Sequence, residues 1–222
     1  MKLSRDKYLT PDEFRRLIYA ARTRPHVRAL RDRALLTVSG LCGLRVGEAV
    51  ALRVADCHLS DQPPTITVYA LKKRSADPEY EVGLPPSAAR ALQEYLRSLP
   101  DEQRQPWQRV FPITRQSAHR TFKYYAKLAG LSPAYSFHAL RHFRGVQVYQ
   151  ETRDPKLCQQ ALRHANLAST EPYIHLVDEQ ERLAKIDLVD VGGDGYKGIA
   201  DNGTQDEDHG DRETAEAPGG AG

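Results

Sequence analysis

Two arginines, two histidines, a tyrosine and a pair of lysines stand at spacings that suit chemistry on a phosphodiester. His138 and Arg141 are three apart in His138-Ala139-Leu140-Arg141, so on a helix they share one face. Twenty-three residues later comes His164, in Leu162-Arg163-His164, and nine after that Tyr173, in Ser169-Thr170-Glu171-Pro172-Tyr173. Upstream, Gly43-Leu44-Arg45-Val46-Gly47-Glu48 supplies a second arginine at a predicted helix start, and Leu71-Lys72-Lys73-Arg74 ends a predicted strand. Guanidinium stays charged and binds phosphate oxygens in a planar fork. A tyrosine hydroxyl can serve as nucleophile, and imidazole and ammonium groups can carry protons. Such a set can bind a phosphodiester and cut it without a metal.

The elements that must position these groups are mostly helical. Thr10-Pro11-Asp12-Glu13 is a capping box with proline at the first helical position, so a helix should run from there to about Arg22. A second is predicted over roughly 28–41, ended by Gly40 and Gly43, and a short one starts at Arg45. After Pro63-Pro64 the period changes to alternation. Thr65–Tyr69 and Tyr80–Leu84 read as a β-hairpin whose first arm leads into the lysines. Helices are then predicted at Ser87–Leu99, Ser117–Leu128, Phe137–Gln150, Pro155–Arg163 and Asp178–Leu188, with Trp107–Ile113 irregular or extended.

Composition narrows the partner. From Val189 onward nine acidic residues face only Lys197 and Arg212, a balance of −7. Residues 1–188 therefore carry 30 basic against 20 acidic side chains, or +10, behind a whole-chain charge of +3. Such a basic body suits a polyanion. The stretch 189–222 holds nine of the fifteen glycines and few large apolar residues, which predicts an acidic, disordered tail. Three cysteines without a CxxC pair point to neither a disulfide framework nor a zinc site and fit a reducing cytosol. No apolar run approaches the ~20 residues of a membrane span, and the start lacks the apolar core of a signal peptide. A soluble cytoplasmic protein is expected, with no membrane partner.

The chain resembles the catalytic domain of the tyrosine recombinases, the phage-integrase and Xer family. The resemblance rests on Gly43-Leu44-Arg45-Val46-Gly47-Glu48-Ala49-Val50-Ala51-Leu52 followed by Asp56, on His138-Ala139-Leu140-Arg141-His142, on Leu162-Arg163-His164, and on the Ser169-Thr170-x-x-Tyr173 ending. Four boxes in order, at family-like intervals over roughly 8–188, form a specific signal. The resemblance implies an α+β fold, a mainly helical catalytic domain with a small antiparallel sheet. It casts Tyr173 as the nucleophile that leaves a 3′-phosphotyrosyl DNA and a free 5′-hydroxyl. Arg45 and Arg141 become clamps on the non-bridging oxygens; His138 shares proton handling with the nucleophile, and His164 bonds the phosphate. Lys72, or Lys73 close behind, protonates the 5′-oxygen. Glu48 looks like the family's supporting acid, although its position also fits a plain ion pair with Arg45. No cofactor and no metal are implied.

Arg163 stands where the family usually has glycine, and its extra charge could reach a phosphate. Only some ten residues precede the catalytic-domain start, as in short single-domain members such as the invertases of fimbrial promoter segments. The expected organisation is thus a catalytic domain over 1–188, without an N-terminal core-binding domain, followed by the tail at 189–222. Expected partners are double-stranded DNA with inverted-repeat half-sites, a second copy on each site, a tetramer in synapsis, and possible accessory DNA-binding proteins. The helix at 178–188 would pack on a neighbouring subunit. Two other readings remain open: a type IB topoisomerase-like nicking and closing enzyme, and a DNA-binding regulator without catalysis.

Overall fold

The computed structural model describes residues 4–23, 27–69 and 79–187. The tail at 189–222 and the lysines Lys72 and Lys73 lie outside these residues. Eight helices and one small sheet are present among the described residues. The first helix, α1 (Pro11–Arg22), begins as its sequence dictates: Thr10 accepts from the Glu13 N–H, and the Glu13 carboxylate accepts from the Thr10 N–H. It buries Phe14, Leu17 and Ala21 against α2 (Val27–Cys42), which also packs on α4 (Pro86–Arg97) and α6 (His138–Thr152). The short α3 (Val46–Ala51) and α5 (Arg115–Leu128) complete this layer.

The sheet is antiparallel in the order β1 (Cys57–His58), β2 (Thr65–Tyr69), β3 (Glu79–Gly83). Ile66 pairs with Val82 and Val68 with Tyr80, which gives the expected hairpin its register. The two-residue β1 is too short for alternation to reveal, and its pairing with Thr65 and Ile66 adds an edge that periodicity does not predict. Trp107–Ile113 contributes a single bridge, Arg53 to Arg109.

The C-terminal part departs from expectation in one element. After α7 (Pro155–Leu162), helix α8 runs Glu171–Asp187, seven residues earlier than the 178 start that the sequence suggests. Pro172 is its second residue, where a missing N–H costs nothing, so the proline begins the helix rather than preceding it. Tyr173 consequently sits on the first turn of a helix that packs on α6. No helix among the described residues is long and apolar enough to cross a membrane.

Candidate active site

The left-handed turn at Gly43 is where the site begins. With φ at +61° it ends α2, a conformation that glycine adopts freely, and an added Cβ would meet Leu162 at 2.9 Å. This turn leaves the Gly43 carbonyl open to two arginines. Arg141 Nη1 donates to it at 2.6 Å and Arg163 Nη2 at 3.0 Å. Arg141 also donates through Nη2 to the Leu162 carbonyl, and its side chain is 1% exposed. Buried this deeply and facing Arg45, its guanidinium is pushed down to about 10 and remains charged at neutral pH.

Two residues beyond the turn, Arg45 stands at the N-terminus of α3, whose Gly47, Glu48, Ala49 and Val50 are buried. Its side chain is 45% exposed, so it can reach a ligand in solvent. Glu48 fixes it twice, accepting from the Arg45 backbone N–H at 2.8 Å and from Nη1 at 2.6 Å. The same carboxylate accepts from Arg163 at 3.0 Å with both side chains almost wholly buried. Burial alone would raise Glu48, but Arg163 first and then Arg45 hold it below the usual carboxylate range. Asp56, further along the same motif, caps a local turn by accepting from the Arg53 N–H.

Arg163 corrects the expectation that its charge reaches outward. It occupies the left-handed cap of α7 at φ 54°, the conformation that suits glycine and explains why glycine is usual there. The side chain turns inward, donating to the Cys42, Gly43 and Ala161 carbonyls as well as to Glu48. It ties the His164 loop to the Arg45 loop.

Tyr173 is buried, 3% exposed, in a small apolar cluster with Tyr8, Val146, Tyr149, Cys158, Leu162, Leu176 and Val177. Its ring packs tightly on Gly145: a Cβ there would stand 2.8 Å from both Cε1 and Cζ. The His164 ring stacks nearly parallel to it at 6.2 Å between centroids, anchored through Nδ1 to the Thr170 hydroxyl at 3.1 Å. The Tyr173 hydroxyl lies 3.0 Å from Nδ1 of His142, whose ring meets that of His138 edge-on at 4.5 Å. His138 itself is exposed at the first residue of α6. Among the described residues, then, the hydroxyl's hydrogen-bond partner is His142 rather than His138.

The charges are arranged with one sign. Burial lowers His142 to about 3 and His164 to about 4, with Arg141 adding to it in each. His138 is exposed as a residue but its ring is partly enclosed, and that desolvation, with Arg141 and Arg45, lowers it as well. All are neutral at pH 7. Burial raises the Tyr173 phenol well above its ordinary value, against the opposing pull of Arg141 and Arg45. The site holds the Tyr173 phenol protonated and surrounds it with donors and cations suited to an anion. No group of three His, Cys, Asp or Glu able to hold a metal occurs among the described residues.

The structure thus brings together Arg45, Arg141, Glu48, His138, His164 and Tyr173, while Lys72 and Lys73 lie beyond the described residues. Sequence reasoning passed over His142 and Gly145. The signal for His142 was its place four residues after His138, on the same helical face; Gly145 has no such signal, since its role depends on what packs on it.

Comparisons with known proteins identify the family and the fold. Residues 7–180 match the phage integrase family. Tyrosine recombinase XerD of Brucella suis is 33% identical over 178 residues, covering 75% of this chain and 54% of the relative; XerD of Pseudomonas putida is 31% identical over 148 residues, covering 66% and 50%. The chain spans about half the length of these curated relatives. The crystal structure of XerA recombinase superposes with a TM-score of 0.66 at 28% identity, over 81% of this chain and 62% of that one. XerH site-specific recombinase bound to its palindromic difH substrate gives 0.67 at 21% identity, over 82% and 53%, and supports the fold. With its motif residues collected at one seam of a shared fold, the chain belongs to the phage integrase family and is built as a tyrosine recombinase catalytic domain.

Proposed function

We propose that this chain cuts and rejoins duplex DNA at specific sites, with Tyr173 as nucleophile. The Tyr173 oxygen attacks phosphorus, the bond to the 5′-oxygen breaks, and a 3′-phosphotyrosyl bond with a free 5′-hydroxyl results. Conserving the phosphodiester in a covalent bond lets the strand be rejoined to a new partner without ATP. The single observation that carries this reading is the burial of Tyr173 beside His142 and His164 within the field of Arg141 and Arg45.

The roles follow from position. Arg45, exposed and fixed by Glu48, clamps a non-bridging oxygen. Arg141 reinforces it with the N–H groups it does not spend on carbonyls. His164 and His138 bond the phosphate from either side, and Lys72 or Lys73 protonates the departing 5′-oxygen. Because these groups supply the electrophilic help, the reaction needs no metal or cofactor. The substrate is double-stranded DNA with inverted-repeat half-sites, bound by two copies per site and four in synapsis, with accessory DNA-binding proteins as further partners.

A pool of duplexes with a randomised core tests this directly. Incubation followed by denaturation should capture covalent adducts, undiminished in EDTA, whose phosphotyrosyl peptide contains Tyr173. Tyr173→Phe should retain DNA and give no adduct. Adducts mapped to Tyr69 or Tyr149, or cleavage restored only by Mg²⁺, would overturn the reading. Plasmids bearing one or two copies of the captured sequence then separate simple relaxation from recombination.

A further inference from the structure

We propose that His142 Nδ1 takes the proton of the Tyr173 hydroxyl as the tyrosine attacks. The inference rests on the reading of Tyr173 as nucleophile and adds a group that the sequence motifs leave without a task. The geometry is direct: Oη and Nδ1 are 3.0 Å apart, Gly145 packs so close to the tyrosine ring that a Cβ there would stand 2.8 Å from Cε1 and Cζ, and the His164 ring lies nearly parallel to it. His142 sits one turn before Gly145 on α6, so the helix that seats the ring also presents the acceptor. In this role the imidazole carries its own proton on Nε2 and offers the Nδ1 lone pair.

The balance is simple. The Oη–H proton passes to Nδ1, the freed Oη electron pair forms the O–P bond, and the P–O5′ bond breaks with its electrons on the 5′-oxygen, which the hairpin lysine protonates. Rejoining returns the proton from Nδ1 to the departing tyrosine oxygen.

What keeps the tyrosine quiet without DNA is the charge around His142. It is faced by His138 and Arg141 from α6, by Lys7 from the turn before α1, by His164 from the loop after α7, and by Tyr173 from α8. Arg141 and Lys7 are the cations in that set, and with burial they oppose a second proton on the ring. A phosphodiester brings negative charge among these same cations, and more gathers as the phosphorus becomes five-coordinate. Both changes lower the cost of an imidazolium. As the O–P bond forms the tyrosine oxygen also ceases to hold its proton, so His142 never competes with a free phenolate. The acceptor is weak in the empty site and strengthens when the substrate arrives.

The test uses the duplex captured above, resynthesised with a 5′-bridging phosphorothiolate at the cleaved position. Sulfur departs with little protonation, so single-turnover rates report the nucleophile's side alone. His142→Asn keeps an acceptor near the Nδ1 position but cannot take the proton. It should cut about a hundredfold more slowly than the unaltered protein at pH 7. Its rate should climb toward about tenfold per pH unit as tyrosinate forms, and imidazole should restore His142→Ala. An Asn variant within a few-fold of the unaltered protein, or one slow with an unchanged pH profile, would reduce His142 to orientation and overturn the proposal. DNA retention and thermal midpoints check that the variants fold. Should they not, ¹⁵N-histidine spectra of the unaltered protein serve instead: orthovanadate should raise the pH at which His142 titrates, and no movement would refute the coupling. Tyr173→Phe runs alongside, since adducts in that variant would remove the nucleophile reading itself.

Discussion

The larger hydrophobic cluster joins α1 to α6 and the sheet around residues such as Leu35, Leu44, Ile66, Phe111 and Leu140, and it anchors the turn and helix that present Arg45. The smaller one is built where α6 meets α7 and α8, and Tyr173 is itself one of its buried members. Arg45 is therefore a surface feature fastened to a large core, whereas Tyr173 is a core residue of a small one. Arg141 and Arg163 cross from one to the other, since Gly43 belongs to the first region and Leu162 and the α7 cap to the second. The difference teaches that the Tyr173 side of the site should open more readily than the Arg45 side: elements with few buried apolar partners open at lower free energy than those in the main core.

Cutting the seam should have the largest effect, because it fails both regions at once. Arg141→Lys cannot reach the Gly43 and Leu162 carbonyls together, as an ammonium lacks the fork. Hydrogen bonds to charged groups contribute about 1.5–3 kcal/mol each, so about 3 kcal/mol of stability should go, measured by urea unfolding. Adduct formation should fall by roughly a thousandfold or more, in keeping with the loss of an oxyanion-type donor. Retention of either quantity near the unaltered level would show that the two cores meet without this arginine.

Damage confined to the small core should be milder and more selective. In Gly145→Ala the new methyl meets the Tyr173 ring at 2.8 Å and Leu162 Cδ1 at 2.9 Å. Overpacking of this kind costs about 1–3 kcal/mol, and a nucleophile displaced by about 1 Å loses roughly a hundredfold in rate. DNA retention should stay as it was, because Arg45 hangs from the other core. A parallel loss of binding would mean that the two regions are not separable.

The sequence makes the large core far more legible than the small one. The capping box at Thr10 and Glu13, the alternation at Thr65–Tyr69 and the arginine at the start of α3 are local signals, set by near neighbours, and they appear where the residues predict. The seat of Tyr173 is not local. Gly145 reads as an unremarked glycine inside a helix until α8 is laid across it, and His142 reads as the residue after an arginine until its ring is seen beside the phenol. Arg163 misleads for a related reason. Its backbone conformation predicts glycine, and only the buried carboxylate of Glu48, 115 positions away, explains an arginine there.

Arg163→Gly is accordingly the smallest and most discriminating test. Glycine relieves the left-handed cap, worth about 1 kcal/mol. It also removes a buried guanidinium whose Nε has no hydrogen-bond partner among the described residues. Against these gains stand the lost bonds to Cys42, Gly43, Ala161 and Glu48. Glu48 is not orphaned, since Arg45 still donates to it through its backbone and its side chain. Buried pairs often come out near neutral once desolvation is counted, so stability near pH 7 should change by less than about 1 kcal/mol. Function should not be neutral. Arg163 is the largest influence holding the Glu48 carboxyl below its usual range, so its removal raises that value toward the unfolded one. A carboxylate lowered in the folded state contributes stability that is present above its unfolded value and is lost as pH falls through the folded one. In the variant that loss, and the release of Arg45 that goes with it, should begin at higher pH. Adduct formation should drop by about tenfold at pH 7 and more steeply as pH falls into the ordinary carboxylate range, with the acid limb of the rate profile moved upward. Arg163→Lys, which keeps a charge beside Glu48, should hold that limb nearer its place. If Arg163→Gly instead gained stability and kept both rate and profile, the arginine would be a tolerated substitution at a glycine position, and the two cores would be joined by Arg141 alone.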